Sequence, residues 1–332
     1  MQRVIPKYVC PRNKCRGLEL VRAGNGLICP ECASPDEFIP FAPGTNTPIF
    51  CSQFEGINEY SLENAAEIHE NALKWLFATF NTTEAELRRN LVSRLKLEKG
   101  SRVLVTGAGA GNDVPYIIEA LGGTGEIYVQ DYAKEMLLWG EKRLREIYAN
   151  SMTEIFFSVS DAINLPFASR FFDAVYHFGG INLYSDKEKG ISEMFRVVRE
   201  GGAMVFGDEG IAPWLRSTEE ANILINNTHL YGFSPPLELL PVTSRNVELS
   251  WEMNNSFYVV SLTVSTVPQP ININVPHVGR RGGTIYKRFY GQLEGVDPEL
   301  RDAIYQKAEK LGLSRVDMLE SLLRAGLRTD SE

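Results

Sequence analysis

The sequence is poor in histidine, with 4 in 332 residues, and nowhere holds the ~18 consecutive apolar residues that a bilayer-crossing helix needs. Its first residues, MQRVIPKYVC, contain no apolar stretch of signal-peptide length. These absences predict a cytoplasmic protein with no membrane span. His69, His229 and His277 show no metal-ligand spacing, so no histidine-based metal centre is indicated. An excess of positive charge is lacking too: 34 Lys and Arg stand against 42 Asp and Glu, a net charge of −8. The whole molecule would repel a polyphosphate backbone, which disfavours nucleic acid as a partner. What is present is ordinary for a globular chain, 44% hydrophobic and 23% charged, and long enough for two or three units with one sizeable core.

The first 55 residues are rich in Cys, Pro, Gly and Asn without a sustained helical period, which predicts a loop-rich module over 1–55. Over 56–98, Ala65, Ile68, Ala72, Trp75 and Leu76, then Leu87, Leu91 and Leu95, recur at helical spacing and predict two leading helices. From Gly100 the pattern alternates between strand and helix, with strands expected near 102–106, 126–130, 154–159, 172–177 and 202–207. Val247 to Met253 and Phe257 to Val264 flank Asn254-Asn255-Ser256 as an antiparallel hairpin that would close the sheet. The core is thus expected over 99–267. Residues 268–332 form a linker and a C-terminal helical extension, its second helix opened by the capping box of Ser314 and Asp317.

Cys10, Cys15, Cys29 and Cys32 are spaced C-x4-C, thirteen residues, C-x2-C, which lets two tight turns present four thiolates to one Zn²⁺ as a zinc ribbon. A module this short lacks the apolar mass to fold unaided. The alternatives are a disulfide pair, which a reducing compartment would not preserve, or four unrelated thiols. Four protein ligands leave no open coordination position, so such a zinc would be structural. Cys51 is left over as a buried thiol.

Val103-Leu104-Val105-Thr106 runs into Gly107-Ala108-Gly109-Ala110-Gly111, a strand ending in a turn where a ligand can approach without meeting a Cβ. The next expected strand ends in Asp131, twenty residues beyond Gly111, where a carboxylate can accept from both ribose hydroxyls of an adenosine; a helix cap is the bland alternative. Then come Ser160-Asp161-Ala162, Leu165-Pro166-Phe167, Phe172-Asp173-Ala174-Val175, Glu193-Met194-Phe195-Arg196-Val197-Val198 and Gly201-Gly202. With this ordered series, residues 100 to 210 resemble the class I S-adenosylmethionine (SAM)-dependent methyltransferases, most closely the ubiquinone and menaquinone C-methyltransferase family. The resemblance implies an α/β fold with a seven-stranded Rossmann-like sheet and SAM as cofactor. It implies that Gly107, Gly109 and Gly111 pack on the methionine part, that Asp131 holds the ribose, and that Asp161, with Ala162 beside it, accepts from the adenine amino group. The family usually carries an acidic residue where Val105 stands, close to the amino group of SAM.

Methyl transfer from a sulfonium is an in-line displacement, so alignment and desolvation suffice unless the acceptor must lose a proton. His177, expected at the end of the fourth strand, is the candidate base, or else a residue touching SAM by its backbone. Tyr184 and Asp208, with Asn182 and Glu209, lie in loops where an acceptor would be oriented, though each could equally be a cap or a solvated charge. Tyr60 and Trp75 could cover the cofactor by stacking. The acceptor pocket is expected from His177 to Tyr184, the loop after Asp208, and the segment Trp214 to Leu240, with Trp214, Leu224, Ile225, Leu230, Tyr231, Phe233 and His229 as lining.

The function expected is methylation of a small aromatic or amphipathic metabolite at carbon, oxygen or nitrogen. One rival is RNA, because a zinc ribbon ahead of such a core resembles the large-subunit rRNA guanine-N1 methyltransferases; Arg3, Lys7, Arg12, Lys14, Arg16 and Arg22 against Glu19 favour it locally. The other is a SAM-sensing regulator: from Thr284 a short strand and two helices resemble a ribbon-helix-helix DNA-binding unit. Ten Lys and Arg against nine Asp and Glu over 280–332 give that tail no basic footprint, so packing or homodimerisation is the expected use.

Overall fold

The computed structural model describes residues 6–12, 15, 17–32, 38–51, 62, 64–291 and 296–329. The chain divides into two compact units, Met1–Pro268 and Gln269–Glu332. Among the described residues no helix is long and apolar enough to cross a membrane.

The first unit is built on a seven-stranded sheet. Its strands are β4 (Arg102–Thr106), β5 (Thr124–Asp131), β6 (Met152–Val159), β7 (Phe172–Phe178), β8 (Val198–Glu209), β9 (Arg245–Glu252) and β10 (Phe257–Thr263), in the order β6-β5-β4-β7-β8-β10-β9. The five strands from β6 to β8 run parallel, and the β9–β10 hairpin adds antiparallel to β8. Strands buried on both faces read as unbroken apolar runs, and β4 is such a strand. Val103 and Val105 join the cluster formed with α2 (Glu84–Ser93), α3 (Val114–Ala120) and α4 (Lys134–Ile147). Leu104 between them joins the opposite cluster, with Ile191, Met194 and Val197 of α5 (Lys187–Val197). The chain leaves β4 for β5 on one side and returns to β7 on the other. That reversal opens a crevice above the carboxyl ends of these strands, where open α/β sheets receive ligands.

Helix α1 (Ala65–Thr79) precedes α2, and α6 (Glu219–Asn227) fills part of the interval between β8 and β9. The cysteine-rich segment carries a small antiparallel sheet, β1 (Val21–Ala23), β2 (Gly26–Ile28) and β3 (Ile39–Pro40). It is counted in the same compact unit as the core, and it covers part of the β6 edge. The Tyr8 hydroxyl donates to the Phe157 carbonyl at 3.1 Å, the Val9 N–H to the Pro166 carbonyl at 2.9 Å, and the Val159 N–H to the Pro48 carbonyl at 2.9 Å. Phe50 N–H returns a bond to Val159. An edge strand is thereby tied up within the chain.

In the second unit, α8 (Pro298–Lys310) and α9 (Arg315–Thr329) follow α7 (Ile285–Tyr290). The capping box forms, Asp317 N–H donating to Ser314 Oγ at 3.1 Å. The short strand expected after Thr284 is corrected: Thr284 Oγ1 accepts the Lys287 N–H at 3.0 Å and starts α7, so this stretch is a capped helix with its backbone groups turned inward on itself.

Candidate active site

At the end of β4 the chain turns through Gly107 and Gly109 with φ of +61° and +53°. A Cβ on Gly107 would lie 2.6 Å from His177 Cε1, so only glycine lets the turn and the β7 side chain share this space. Gly111 has another reason to be glycine. It does not line the cavity, and a Cβ there would meet Leu144 Cδ1 of α4 at 2.8 Å, which is a packing reason for the glycine.

Asp131 ends β5 with its carboxylate facing this turn, Oδ2 accepting Gly109 N–H at 2.6 Å and Oδ1 accepting Ala133 N–H at 2.6 Å. Burial pushes its carboxyl above the ordinary value, while the Gly109, Ala133 and Tyr132 N–H groups pull it back. A carboxylate has about four acceptor sites, so beside these three N–H groups it can still accept from a ligand hydroxyl. After β6, Asp161 Oδ1 accepts Ile163 N–H at 3.0 Å, and Asp161 and Ala162 line the same cavity.

That cavity measures about 430 Å³, within the range of small-molecule sites. Gly107, Gly109, Asp131, Asp161, Ala162, His177, Tyr184 and Asp208 all stand on its wall. His177 is fully buried. Its Nδ1 lies 2.8 Å from the Thr106 carbonyl, which can only accept, so Nδ1 carries the hydrogen and Nε2 holds a lone pair. Among the described residues Nε2 has no hydrogen-bond partner. Burial pushes the imidazole pKa down, against the opposing pull of Asp208, so the ring is neutral near pH 7. The Tyr184 hydroxyl lies 3.3 Å from Nδ1.

Asp208 is committed to the backbone. Oδ2 accepts the N–H groups of Gly180 at 3.1 Å and Asn182 at 2.6 Å, and Oδ1 accepts that of Glu209 at 2.8 Å. It shapes the loop after β7. Asn182 serves the same loop, donating to the Glu209 carbonyl at 2.8 Å. Burial, with the Asp208 carboxylate adjacent, pushes the Glu209 carboxyl well up and favours its protonated form on the cavity wall.

The remaining wall is not where sequence patterning pointed. Of the seven side chains expected from Trp214 to Leu240, Leu230 alone lines the cavity. Trp214 is exposed and packs edge-on to Trp251, while Tyr231 is buried against Phe80 and Phe257. Leu224 and Ile225 pack on the core. Trp75 is exposed and off the wall; Tyr60 lies outside the described residues. The apolar wall comes instead from Leu73, Leu76 and Phe77 of α1, Leu87 of α2, and Met253 and Phe257 of the hairpin. Leu73, Leu76 and Phe77 are spaced as one helical face, a signal legible in the sequence but silent on whether that face meets core or ligand.

Cys10, Cys15, Cys29 and Cys32 converge, their sulfurs all within 4.8 Å of one another, and none is in a disulfide. Tetrahedral Zn²⁺ with bonds of about 2.3 Å needs sulfurs roughly 3.8 Å apart. The donor set therefore fits that ion.

Residues 82–209, which carry β4 to β8 and so most of the cavity wall, match the model of the ubiE/COQ5 methyltransferase family. A demethylmenaquinone methyltransferase of Geobacillus sp. (strain WCH70) is 30% identical over 118 residues, 36% of this chain and 49% of that protein. A ubiquinone/menaquinone biosynthesis C-methyltransferase UbiE of Yersinia pestis bv. Antiqua is 29% identical over 109 residues, 33% of this chain and 43% of that one. The chain thus spans about half the length of the curated relatives it matches. Among solved structures, Haemonchus contortus phosphoethanolamine N-methyltransferase 2 in complex with S-adenosyl-L-methionine aligns at 13% identity with a TM-score of 0.49, over 75% of this chain and 71% of that chain.

Proposed function

We propose that this chain is a SAM-dependent methyltransferase that methylates a small aromatic or amphipathic metabolite at carbon, oxygen or nitrogen. The observation that carries the reading is one cavity on which the Gly107–Gly109 turn, the Asp131 and Asp161 carboxylates and an unpartnered His177 Nε2 all stand. SAM bound there would supply an electrophilic methyl group. Gly107 and Gly109 would admit its methionine part, Asp131 would accept from the ribose hydroxyls, and Asp161 beside Ala162 would accept from the adenine amino group. His177, neutral and with its free lone pair at Nε2, would take a proton from an acceptor that must lose one. Tyr184 would help orient the acceptor, and Asp208 would hold the loop that frames it. Apolar Leu73, Leu76, Phe77 and Phe257 would exclude water from the reacting atoms.

The charge of the wall supports a small acceptor over RNA. Asp113, Asp131, Asp161 and Asp208 stand on it against Arg88, which among the described residues is its one Lys or Arg, opposite to the basic lining a polyphosphate requires. Zn²⁺ on Cys10, Cys15, Cys29 and Cys32 would be structural, with all four positions taken by protein.

Labelled methyl from SAM should pass to a component of a metabolite extract and not to unmodified RNA. Asp131→Ala should cost roughly 1 to 3 kcal/mol of SAM binding, the scale of a hydrogen bond to a charged group. Unchanged calorimetric affinity in a folded variant would remove Asp131 from the site. Methyl transfer to RNA that weakens steeply with salt would overturn the small-molecule reading.

A further inference from the structure

The cavity wall contains a buried ion pair that the reading above leaves unused. Arg88 of α2 and Asp113, just before α3, both line the cavity and each is 8% exposed at the side chain. Arg88 Nη1 lies 2.6 Å from Asp113 Oδ1. The hydroxyl of Tyr176, fully buried in β7, donates to the same oxygen at 2.8 Å. Arg88 Nε donates to Glu84 Oε1 at 2.7 Å. These contacts engage Oδ1 of Asp113 and Nε and Nη1 of Arg88, and both side chains still face the cavity.

A local structural explanation fails for Asp113. It occupies the N-cap position of α3, where an aspartate ordinarily accepts a backbone N–H of the first turn, yet it makes no such bond. Pro115 at the second helical position has no N–H to offer. Nor does the pair reward burial by itself, since taking two charges out of water costs about as much as their attraction returns. The guanidinium stands between two carboxylates, Glu84 and Asp113, and of these Asp113 shares the cavity wall with it, so an anion and a cation face the cavity side by side. A carboxylate next to a guanidinium is complementary to a ligand group that carries a cation next to an anion, as the ammonium and carboxylate of an α-amino acid do.

Val105 of the middle strand is buried among apolar neighbours and absent from the wall, so that strand offers the cavity no charged side chain at this position. In register beside it on β7 stands Tyr176, the residue that holds Asp113.

We propose that Arg88 and Asp113 form the subsite for the amino-acid end of the methyl donor, Asp113 receiving its ammonium and Arg88 its carboxylate. The inference rests on the reading of the cavity as a SAM site. Its test compares S-adenosylhomocysteine with 5′-methylthioadenosine, the same adenosine thioether without the amino acid, by calorimetry. Asp113→Asn should weaken S-adenosylhomocysteine by about tenfold or more and leave methylthioadenosine unchanged. Arg88→Gln should do the same. A role in packing alone would weaken both ligands equally, and that result, or no loss for S-adenosylhomocysteine, overturns the proposal. Should a variant fail to fold, the native protein still decides: decarboxylated SAM must bind about tenfold or more weaker than SAM, and equal affinities overturn the subsite while leaving the SAM site standing. Failure of every adenosine ligand to bind the native protein removes the SAM reading and the subsite with it.

Discussion

His177 illustrates how much one side chain depends on its neighbours. Gly107 clears the space for its ring, the Thr106 carbonyl sets its tautomer, and burial keeps it neutral against the charges of Asp208 and Asp113. Its native pKa is therefore depressed below the ordinary 6.5. The unfolded chain takes up a proton at this residue at higher pH than the folded chain does. The contribution to stability is fully present above about pH 6.5 and is lost as pH falls through the native value. Urea unfolding of the wild type should thus lose more stability between pH 7.5 and pH 5 than that of His177→Asn, which keeps an N–H donor for Thr106 but cannot titrate. Equal losses in the two proteins would mean that the ring is not held neutral.

At the scale of elements, helix α4 is locked to the glycine turn by a residue that carries no side chain. A Cβ on Gly140 would stand 2.4 Å from the Ala110 carbonyl oxygen and 2.7 Å from its carbon, backbone atoms that cannot swing away. Glycine inside a helix ordinarily costs about 1 kcal/mol relative to alanine, so propensity alone predicts that Gly140→Ala stabilises. The close approach predicts the reverse, a loss of about 1 to 3 kcal/mol in urea unfolding as α4 or the turn is displaced. Because Gly109 N–H holds the Asp131 carboxylate, affinity for S-adenosylhomocysteine should fall as well. A more stable variant with unchanged affinity would show that helix and turn are not coupled.

For the first unit as a whole, the cysteine segment and the cavity are mechanically continuous. Val159, tied to Pro48 and Phe50 on the cysteine-rich side, lies two residues before Asp161 on the cavity wall. A metal that folds this segment would therefore also hold one side of the site. Protein purified without chelator should carry one zinc per chain by elemental analysis. Stripping it should accelerate amide hydrogen exchange over residues 152–166 while β8 and β10, paired on the far side of the sheet, keep their protection. Uniform exchange in both states, or absence of metal at the outset, would sever that connection.

The sequence by itself determined the order of elements and the chemistry at strand ends. Apolar runs broken by glycine place β4, β5, β6 and β7 within a residue or two, because strands buried on both faces must be continuously hydrophobic. The four cysteines were legible from spacing alone, since tight turns place their thiols by local geometry. What only the tertiary structure decided is the use of surfaces whose pattern has two meanings. An apolar face at helical spacing can meet core or ligand, and only packing shows that Leu73, Leu76 and Phe77 line the cavity while Tyr231 fills the core. A short charged residue before a helix reads as a cap, and only the approach of Arg88 and Tyr176 from distant parts of the chain turns Asp113 toward another use. Local chemistry is written along the chain, whereas the partner of a side chain is set by contacts between segments remote in sequence.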